Sequence, residues 1–292
     1  MELMGRLSLG TVQFGMDYGI ANSAGKVPCE EIGAMLEYAR NNNIKMLDTA
    51  IAYGDSERRL GISGVDDFNV VTKLPEVPEG CDDIPGLFKK QILGSLSRLG
   101  VPKLYGVLLH KPEQLLEKNF SQIYDSLIDL KINGLVDKIG ISIYSPTELL
   151  ALEKNFSFDI VQAPFNLIDR RLESSGWLYQ LKNKGVEIHT RSAFLQGLLL
   201  MSQDKIPLKF SPWKSLLENW HLWLRNNDVT AVEACLRFPL SFPEIDKVVV
   251  GSDNLEQLKM LSNVSNMTRV MGEPVISCDD ENLINPGKWS KL

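Results

Sequence analysis

Eight short runs of aliphatic and β-branched residues recur along this 292-residue chain, and a stretch with helical spacing separates each run from the next. The runs lie near residues 7, 45, 70, 106, 139, 160, 188 and 248. Strands that alternate with helices predict a parallel sheet, and eight such units in a chain of this length fit a closed barrel. The sequence therefore predicts an α/β fold of the (β/α)8 TIM-barrel type, with residues 1–292 forming a single domain.

The stretches between the runs give two further predictions. Residues 28–41 carry apolar side chains at helical spacing, and residues 173–184 are predicted to form one helix that ends at Gly185. From about residue 266 the periodicity stops, so the rest of the chain is predicted to be an irregular tail.

A doubly wound sheet is the alternative way to arrange alternating strands and helices. Such sheets bind dinucleotides through a Gly-x-Gly-x-x-Gly turn after the first strand. Gly10 and Gly15 follow the first strand here, but they do not have that spacing. The closed barrel therefore remains the prediction.

Composition and charge exclude several classes of partner. The formal net charge is −6 and the pI is near 5.3, so no basic field indicates binding to nucleic acid or to an anionic membrane. No apolar run reaches the roughly 18 residues that span a bilayer, and the first residues do not resemble a secretory signal. We expect a cytoplasmic protein without nucleic-acid or membrane partners, and the sequence leaves its oligomeric state open.

Cysteine and histidine are too scattered to predict a metal site. The four cysteines include no Cys-x-x-Cys pair, and the three histidines show no paired spacing. A metal-dependent barrel hydrolase needs several imidazole and carboxylate ligands together. No metal is therefore predicted, and reduced cysteines agree with a cytoplasmic protein.

Polar side chains follow most of the predicted strands at their carboxyl ends. In a barrel these ends converge on one face, where active sites lie. The residues concerned, taken from the second strand to the seventh, are Asp48, Tyr53, Lys73, His110, Ser142, Gln162 and Arg191.

Four of these residues form a coherent acid–base set. A tyrosine gives its proton to a developing alkoxide more readily beside a lysine ammonium, and an aspartate can hold that lysine in place. A histidine can orient a carbonyl at the same oxygen. Alone, each residue has a structural explanation as a helix cap, half-buried ring, surface charge or core histidine, but their joint placement favours a site.

The chain resembles the aldo/keto reductase family. The resemblance rests on segments that occur in the family's order and cover roughly residues 6–262. They are residues 47–57 (LDTAIAYGDSE), 70–73 (VVTK), 108–110 (LLH), 140–142 (GIS), 161–166 (VQAPFN), 191–192 (RS) with 197–199 (GLL), and 248–252 (VVVGS).

The resemblance implies a catalytic role for each member of the acid–base set. Tyr53 is the implied general acid or base, and Lys73 is implied to lower its pKa. Asp48 is implied to pair with Lys73, and His110 to orient the substrate carbonyl. The implied reaction is hydride transfer between nicotinamide and a carbonyl or alcohol carbon of a small substrate.

The resemblance also implies a cofactor, NADP(H), with NAD(H) as the alternative. Ser142 and Gln162 match positions that bind the carboxamide, while Arg191 and Ser192 match a segment along the nicotinamide and pyrophosphate. The other implied contacts, at the ends of the first and last strands, are Gly10, Thr11, Gly251, Ser252 and Asp253.

Three departures from the family pattern concern the cofactor. Ile143 follows Ser142 where the family commonly has Asn. Asp253 replaces the usual basic residue that meets a 2′-phosphate, and an acidic group there would repel phosphate but accept a hydrogen bond from a free 2′-hydroxyl. Residues 260–261 are Met-Leu in place of a Glu-Asn pair that meets adenine.

The sequence leaves the substrate and two other functions open. A polar rim would suit a sugar-like or other polar carbonyl. The same barrel could serve as a non-catalytic redox sensor that binds the cofactor, or as a redox-neutral epimerase that recycles it.

Overall fold

The computed structural model describes residues 3–22, 25–117, 120–267, 272 and 274–292. Eight parallel strands pair in sequence order, and the first also pairs with the last, which closes the barrel. This confirms the predicted (β/α)8 fold. The strands are β1 Leu7–Gly10, β2 Met46–Asp48, β3 Asn69–Leu74, β4 Leu104–Leu109, β5 Val136–Ser142, β6 Ile160–Pro164, β7 Glu187–Arg191 and β8 Lys247–Gly251.

Helices surround the barrel and bury their apolar faces against it. In the part of the chain that is described they are α1 Val12–Gly15, α2 Cys29–Asn41, α3 Ser56–Ser63, α4 Ile84–Leu99, α5 Phe120–Ile132, α6 Thr147–Leu152, α7 Arg171–Ser174, α8 Trp177–Asn183, α9 Lys214–Asn227, α10 Ala231–Leu240, α11 Leu255–Ser265 and α12 Glu281–Ile284.

One predicted helix is in fact two. The sequence predicted a single helix over residues 173–184, but α7 ends at Ser174 and α8 begins at Trp177. Gly176 between them has φ of 79°, a left-handed conformation that interrupts an α-helix. The periodicity continues across the break, so it did not show where the chain turns.

The tail is also more regular than predicted. Residues 268–271 and 273 lie outside the described residues, but α12 and a 3₁₀ turn over Pro286–Lys291 follow them. Trp289 is buried, stacks edge-on against Phe210 with ring centroids 4.8 Å apart, and donates its indole N–H to Leu283 O at 2.9 Å. This packing fixes the end of the tail on the 3₁₀ segment Leu208–Trp213.

An apolar layer fills the middle of the barrel interior. Its four buried side chains, from four different strands, are Met46, Val71, Leu108 and Ile160. Side chains two residues apart in a strand lie on the same face, so the next inward position on each strand is polar. Those positions are Asp48, Lys73, His110 and Gln162. The strand pleat thus brings four of the predicted site residues together above the apolar layer.

A polar group that we call the base cluster lies at the amino ends of the strands. Glu187 is its centre: its carboxylate accepts from Tyr105 Oη at 2.8 Å, contacts His189 Nε2 at 2.7 Å and forms an ion pair with Lys138. Burial alone would raise the pKa of Glu187, but the bonds and charge of His189, Lys138 and Tyr105 prevail and lower it to about 2. The carboxylate therefore stays ionised at any ordinary pH.

No helix within the described ranges combines the length and the apolarity that crossing a membrane requires.

Candidate active site

A cavity of about 520 Å³ opens at the carboxyl ends of the strands. Almost all of the predicted site residues line it, which places them in one chamber despite separations of up to 243 positions in the sequence (Gly10 to Asp253). They are Gly10, Thr11, Asp48, Tyr53, Lys73, His110, Ser142, Gln162, Arg191, Ser192, Gly251 and Asp253.

Lys73 is the most enclosed charge of the site, with 1% of its surface exposed. Its ammonium donates to Asp48 Oδ1 at 2.6 Å and to the carbonyl of Thr49 at 3.0 Å, and it reaches Tyr53 Oη at 3.5 Å. Burial would lower the pKa of Lys73, but the negative charge of Asp48 and the Tyr53 oxygen outweigh burial and raise it. The ammonium is therefore charged at neutral pH and lies between a carboxylate and a phenol.

His110 stands across from Tyr53 as a neutral ring. The two ring centroids are 6.1 Å apart and the ring planes meet at 78°. Burial, followed by the charges of Lys73 and Arg191, lowers the pKa of His110 to about 4. A neutral imidazole can donate one N–H to a carbonyl oxygen without bringing a further charge into the site.

Two glycines press the turn that carries Tyr53 against the loop after β1. A Cβ at Gly15 would lie 1.7 Å from the Tyr53 carbonyl oxygen, and a Cβ at Gly54, which has φ of 57°, would lie 2.4 Å from the Gly15 oxygen. Neither position therefore has room for a side chain. This contact sets the depth at which Tyr53 enters the cavity.

Buried hydroxyls beneath the same turn hold it from below. Ser56 Oγ bonds to the carbonyl of Thr11 at 2.9 Å and to Thr11 Oγ1 at 3.0 Å, and Thr49 Oγ1 lies 3.2 Å away. Thr11 Oγ1 also donates to the carbonyl of Asp48 at 3.0 Å. Thr11 thus lines the cavity, but its hydroxyl is engaged in supporting the Asp48–Tyr53 segment.

Glu57 anchors the first turn of α3, and the sequence did not single it out. Only 3% of it is exposed; it accepts from Thr72 Oγ1 at 2.7 Å and pairs with Arg98 at 2.6 Å. Ser56 and Glu57 of the LDTAIAYGDSE segment therefore serve to position Tyr53, and their signal in the sequence was their place directly after it.

Gln162 connects Ser142 to Asp48. Its Nε2 donates to Asp48 Oδ2 at 2.6 Å, and its Oε1 accepts from Ser142 Oγ at 3.3 Å. Both side chains are buried. Asp48 thus receives one bond from Lys73 and one from Gln162, which fixes both of its oxygens.

Arg191 extends from the end of β7 over the loop after β5. Its Nη2 donates to the carbonyl of Ile143 at 3.0 Å, its Nη1 to Ser192 Oγ at 3.3 Å, and the guanidinium lies 4.7 Å from the centre of the Tyr144 ring. Ile143 itself is fully buried and presents its backbone oxygen to Arg191.

Of the three residues predicted to bind the cofactor at the end of β8, two line the cavity and one does not. Gly251 and Asp253 line the cavity, whereas Ser252 is buried beside it and donates its hydroxyl to the carbonyl of Asn254 at 2.8 Å. Asp253 Oδ1 is buried and has no hydrogen-bond partner within the part of the chain that is described, and the same holds for Oε1 of Gln13. These two acceptors are suited to a ligand that brings donors.

A polar bridge across the cavity rim was not predicted. Gln196 Nε2 donates to Tyr18 Oη at 3.0 Å, and the Gln196 carbonyl accepts from the Ile20 amide at 3.1 Å. Gln196 has φ of 52°, an uncommon value for this residue type, so no sequence pattern indicated which way it points. The loops after β1 and β7 meet here.

No group of three or more metal-ligating side chains occurs among the residues that the structure describes.

Comparison with known proteins places the sequence in a family. The sequence matches the family model described as "Aldo/keto reductase family" over residues 6–273. It is also similar to an uncharacterized oxidoreductase, YqkF, of Bacillus subtilis (strain 168), with 24% identity over 203 residues, 66% of this chain. The match spans 65% of the length of that relative.

Solved structures share the fold. The aldo-keto reductase AKR11C1 from Bacillus halodurans, in its holo form, has a TM-score of 0.72 and 18% identity and covers 91% of this chain and 88% of its own. The glycerol dehydrogenase AKR11B4 from Gluconobacter oxydans has a TM-score of 0.68 and 19% identity over 91% and 88% of the two chains. At these identities the likeness shows the barrel alone, but the family match covers nearly the whole sequence. The chain belongs to the aldo/keto reductase family.

Proposed function

We propose that this protein is an NAD(P)H-dependent carbonyl reductase or alcohol dehydrogenase that acts on a small polar substrate. The observation that carries the proposal is the buried Lys73 ammonium, which touches Asp48 on one side and the Tyr53 hydroxyl on the other, inside a cavity that also contains a neutral His110. Proton transfer to an oxygen is the chemistry that this arrangement supports.

Tyr53 is the proposed proton donor during carbonyl reduction. The C=O π bond breaks as hydride arrives at carbon, and the oxygen takes the proton from Tyr53 Oη. Lys73 stabilises the negative charge left on the phenolic oxygen, while Asp48 keeps Lys73 in place. His110 donates a hydrogen bond that orients the carbonyl oxygen toward Tyr53. Alcohol oxidation is the reverse of these steps.

A reduced nicotinamide bound in the cavity would be the source of the hydride. Ser142 and Gln162 are the proposed carboxamide partners, because their amide and hydroxyl groups converge above Asp48. Ser192 and the Gly10–Gly251 pair of strand ends line the chamber on either side. The orphan oxygens of Asp253 and Gln13 fit the hydroxyls or amines of a nucleoside.

Asp253 further supports NADH over NADPH, which reverses the order that the family resemblance implies. The cationic side chains lining the cavity within the described residues are Lys73 and Arg191, and neither appears among the influences on the pKa of Asp253, which burial raises against a bond from Gln257. An added 2′-phosphate at this end would meet a carboxylate without a compensating cation.

The polar bridge at the rim supports a substrate with hydroxyl groups. Tyr18 Oη and the Gln196 amide face the same chamber as Tyr53 and offer both donors and acceptors. A sugar-like or other polyhydroxy carbonyl would exchange hydrogen bonds with them.

Replacement of Tyr53 by Phe tests the proposal directly. With NADH or NADPH and a panel of aldehydes and ketones, we expect oxidation of reduced cofactor by the wild type and a loss of about 10²–10⁴-fold in kcat for Tyr53→Phe. Tyr179→Phe is the matched control, because Tyr179 is exposed on α8. Undiminished turnover by Tyr53→Phe would exclude Tyr53 as the donor. Tight cofactor binding without turnover on any carbonyl would instead favour the redox sensor.

Fluorescence titration with both nucleotides tests the cofactor preference. We expect the wild type to bind NADH about tenfold more tightly than NADPH, and Asp253→Ser to reduce that ratio by binding NADPH better. Tighter binding of NADPH by the wild type would contradict the proposed role of Asp253.

A further inference from the structure

A second cavity, of about 590 Å³, opens at the amino ends of the strands, and we call it the base cavity. Its lining includes Lys138 and Glu187 of the base cluster, together with Lys247 at the start of β8. Each of the two lysines precedes by four positions a residue that lines the active-site cavity, Ser142 on β5 and Gly251 on β8. Side chains at even spacings in a strand share a face, so both lysines belong to the inner face of the barrel. The base cavity thus lies at the end of the barrel opposite the active site.

Basic side chains outnumber acidic ones around the base cavity. The basic residues of its lining are Arg6, Lys138, Lys182 and Lys247, and the acidic ones are Glu187 and Asp246. The lining therefore carries two more formal positive charges than negative ones. The guanidinium of Arg6 is committed to three backbone carbonyls, and an excess of one charge remains when Arg6 is set aside.

The two carboxylates of the lining already have donors of their own. Glu187 has both oxygens bonded within the base cluster. Asp246 Oδ1 accepts from the Lys182 ammonium at 2.8 Å, and its Oδ2 accepts from the Ile188 amide at 2.9 Å. Neither carboxylate therefore has an oxygen left to neutralise the remaining positive charge.

Lys247 carries that remaining charge. Its ammonium donates to the carbonyl of Gly5 at 2.5 Å, and no carboxylate lies within ion-pair distance of it in the described part of the chain. An ammonium has three donors, so two are left for a ligand. Burial lowers the pKa of Lys247, and the more distant charges of Glu187 and Asp246 do not offset that effect. An anion in the cavity would stabilise this ammonium.

We propose that the base cavity binds a phosphate group through the Lys247 ammonium, either as inorganic phosphate or as part of a phosphorylated metabolite. A phosphate group carries about −1.5 to −2 charges at neutral pH, which matches the excess of positive charge in the lining. Asn43 offers an uncharged donor nearby, because its side-chain nitrogen lies 3.4 Å from the position that a Cβ of Gly5 would take.

The proposed phosphate site is separate from the active site and does not depend on the proposed reductase function. The apolar layer of the barrel interior lies between the two cavities, and its members are Met46, Val71, Leu108 and Ile160. A phosphate in the base cavity therefore does not reach Tyr53. Its binding can be measured without cofactor and without turnover.

Calorimetric titration with inorganic phosphate, glycerol 3-phosphate and glycerol, at constant ionic strength, tests the proposal. We expect the wild type to bind at least one of the two phosphates and not glycerol. Tighter binding of glycerol 3-phosphate indicates a phosphorylated metabolite, and tighter binding of inorganic phosphate indicates the free ion. Lys247→Met should weaken the binding about 10–100-fold through loss of a charged hydrogen-bond donor, and Lys247→Arg should recover part of the loss. Lys214→Met, at an exposed position of α9, is the control for loss of a lysine.

Arg191→Met shows which of the two cavities holds the anion, because Arg191 lines the active site. We expect this variant to bind phosphate as the wild type does. Binding that is lost in Arg191→Met and kept in Lys247→Met would overturn the proposal, and so would no saturable binding by the wild type at about 10 mM of either phosphate. If circular dichroism shows that Lys247→Met is unfolded, Lys182→Met decides. It leaves Asp246 without its cation and should weaken phosphate binding at least about threefold, whereas unchanged binding would overturn the proposal.

Discussion

The two ends of the barrel both hold buried polar residues, but they use them differently. At the amino ends of the strands, Glu187 of the base cluster bonds to Tyr105, Lys138 and His189, so its charge is neutralised within the protein. At the carboxyl ends, Asp48 and Lys73 are also paired, but Tyr53, His110 and Arg191 direct polar groups into a cavity. Lys138 and Ser142 lie on the same strand, β5. Lys138 is near its amino end and belongs to the base cluster, whereas Ser142 is at its carboxyl end and lines the cavity.

The polar groups at the two ends contain similar residues but differ in how the tyrosine proton is used. Both contain a lysine–carboxylate pair that touches a tyrosine hydroxyl: Lys138 bonds to Tyr105 at 2.6 Å, and Lys73 reaches Tyr53 at 3.5 Å. Both tyrosines line a cavity, of about 590 Å³ for Tyr105 and about 520 Å³ for Tyr53. Tyr105 uses its proton to bond Glu187, whereas no acceptor among the described residues takes the proton of Tyr53. The residue types are alike, and the availability of the tyrosine proton separates them.

The strongest test of this comparison removes the lysine from each end in turn. Lys73→Met should lower kcat by about 10²–10⁴-fold, because the charge that stabilises the Tyr53 oxygen is lost. Lys138→Met should leave kcat within about threefold and lower the free energy of unfolding by about 1–2 kcal/mol, through lost bonds to Glu187 and Tyr105. Steady-state kinetics and urea unfolding measure both effects. A comparable loss of kcat in the two variants would contradict the proposal that Lys73 serves the reaction and Lys138 serves stability.

A smaller effect is expected when the Tyr53 turn is displaced without changing the acid–base residues. Gly15→Ala would place a methyl group 1.7 Å from the present position of the Tyr53 carbonyl oxygen, so the turn must shift. We expect kcat to fall about 10–100-fold while cofactor Kd changes less than threefold, since misplacement of a reacting group by about 1 Å is costly. Gly33→Ala is the control, because a Cβ there meets no neighbouring atom. Full activity of Gly15→Ala would show that the glycine contact does not position Tyr53.

Of the three tests, varying the pH over the ordinary range should change the rate of reduction least. A histidine with an unperturbed pKa of 6.5 would gain a proton as the pH falls through that value, but His110 has a pKa lowered to about 4 and stays neutral. We expect kcat/KM for reduction to show no loss centred near pH 6.5 and to fall about tenfold per unit only below pH 4. Glu187, with a pKa of about 2, keeps the base cluster ionised throughout.

The same shift has a consequence for stability. Because the unfolded chain takes up a proton on His110 below pH 6.5 and the folded chain does not until about pH 4, the contribution of His110 to stability is lost as the pH falls between these values. Circular dichroism at each pH separates unfolding from the loss of activity. An acid limb centred near 6.5 in a fully folded sample would show that His110 titrates normally.

The barrel could be predicted from the sequence because local pattern and global fold agree. Each strand is a short aliphatic run, and the side chains that lie two residues apart, such as Leu108 and His110, alternate with the outer face as the pleat requires. The break at Gly176 was missed because the apolar periodicity of α7 continues into α8. Helical periodicity reports which face is buried and does not report a turn within the helix.

The grouping of Asp48, Tyr53, Lys73 and His110 in one cavity could be predicted from their joint place at strand ends, whereas the contacts at the rim could not. Tyr18 and Gln196 belong to two different loops and meet only in the folded chain. Ser192, Leu195 and Gln196 all have positive φ, a conformation that their residue types do not predict. The direction of Arg191 likewise depends on the Ile143 carbonyl and the Tyr144 ring, contacts that only the folded chain brings together. Strand ends follow from topology, but loop conformations follow from contacts between distant segments.

The contact between Gly15 and Gly54 divides the loop after β1 into two parts for protein engineering. Up to Gly15 the loop supports the Tyr53 turn, and a larger side chain there would alter the chemistry. Beyond it, Tyr18 is exposed at the rim and bonds to Gln196, so we expect its replacement to leave that support in place. We therefore expect a library confined to residues 17–22 and 196 to vary substrate choice while leaving the Tyr53 turn in place.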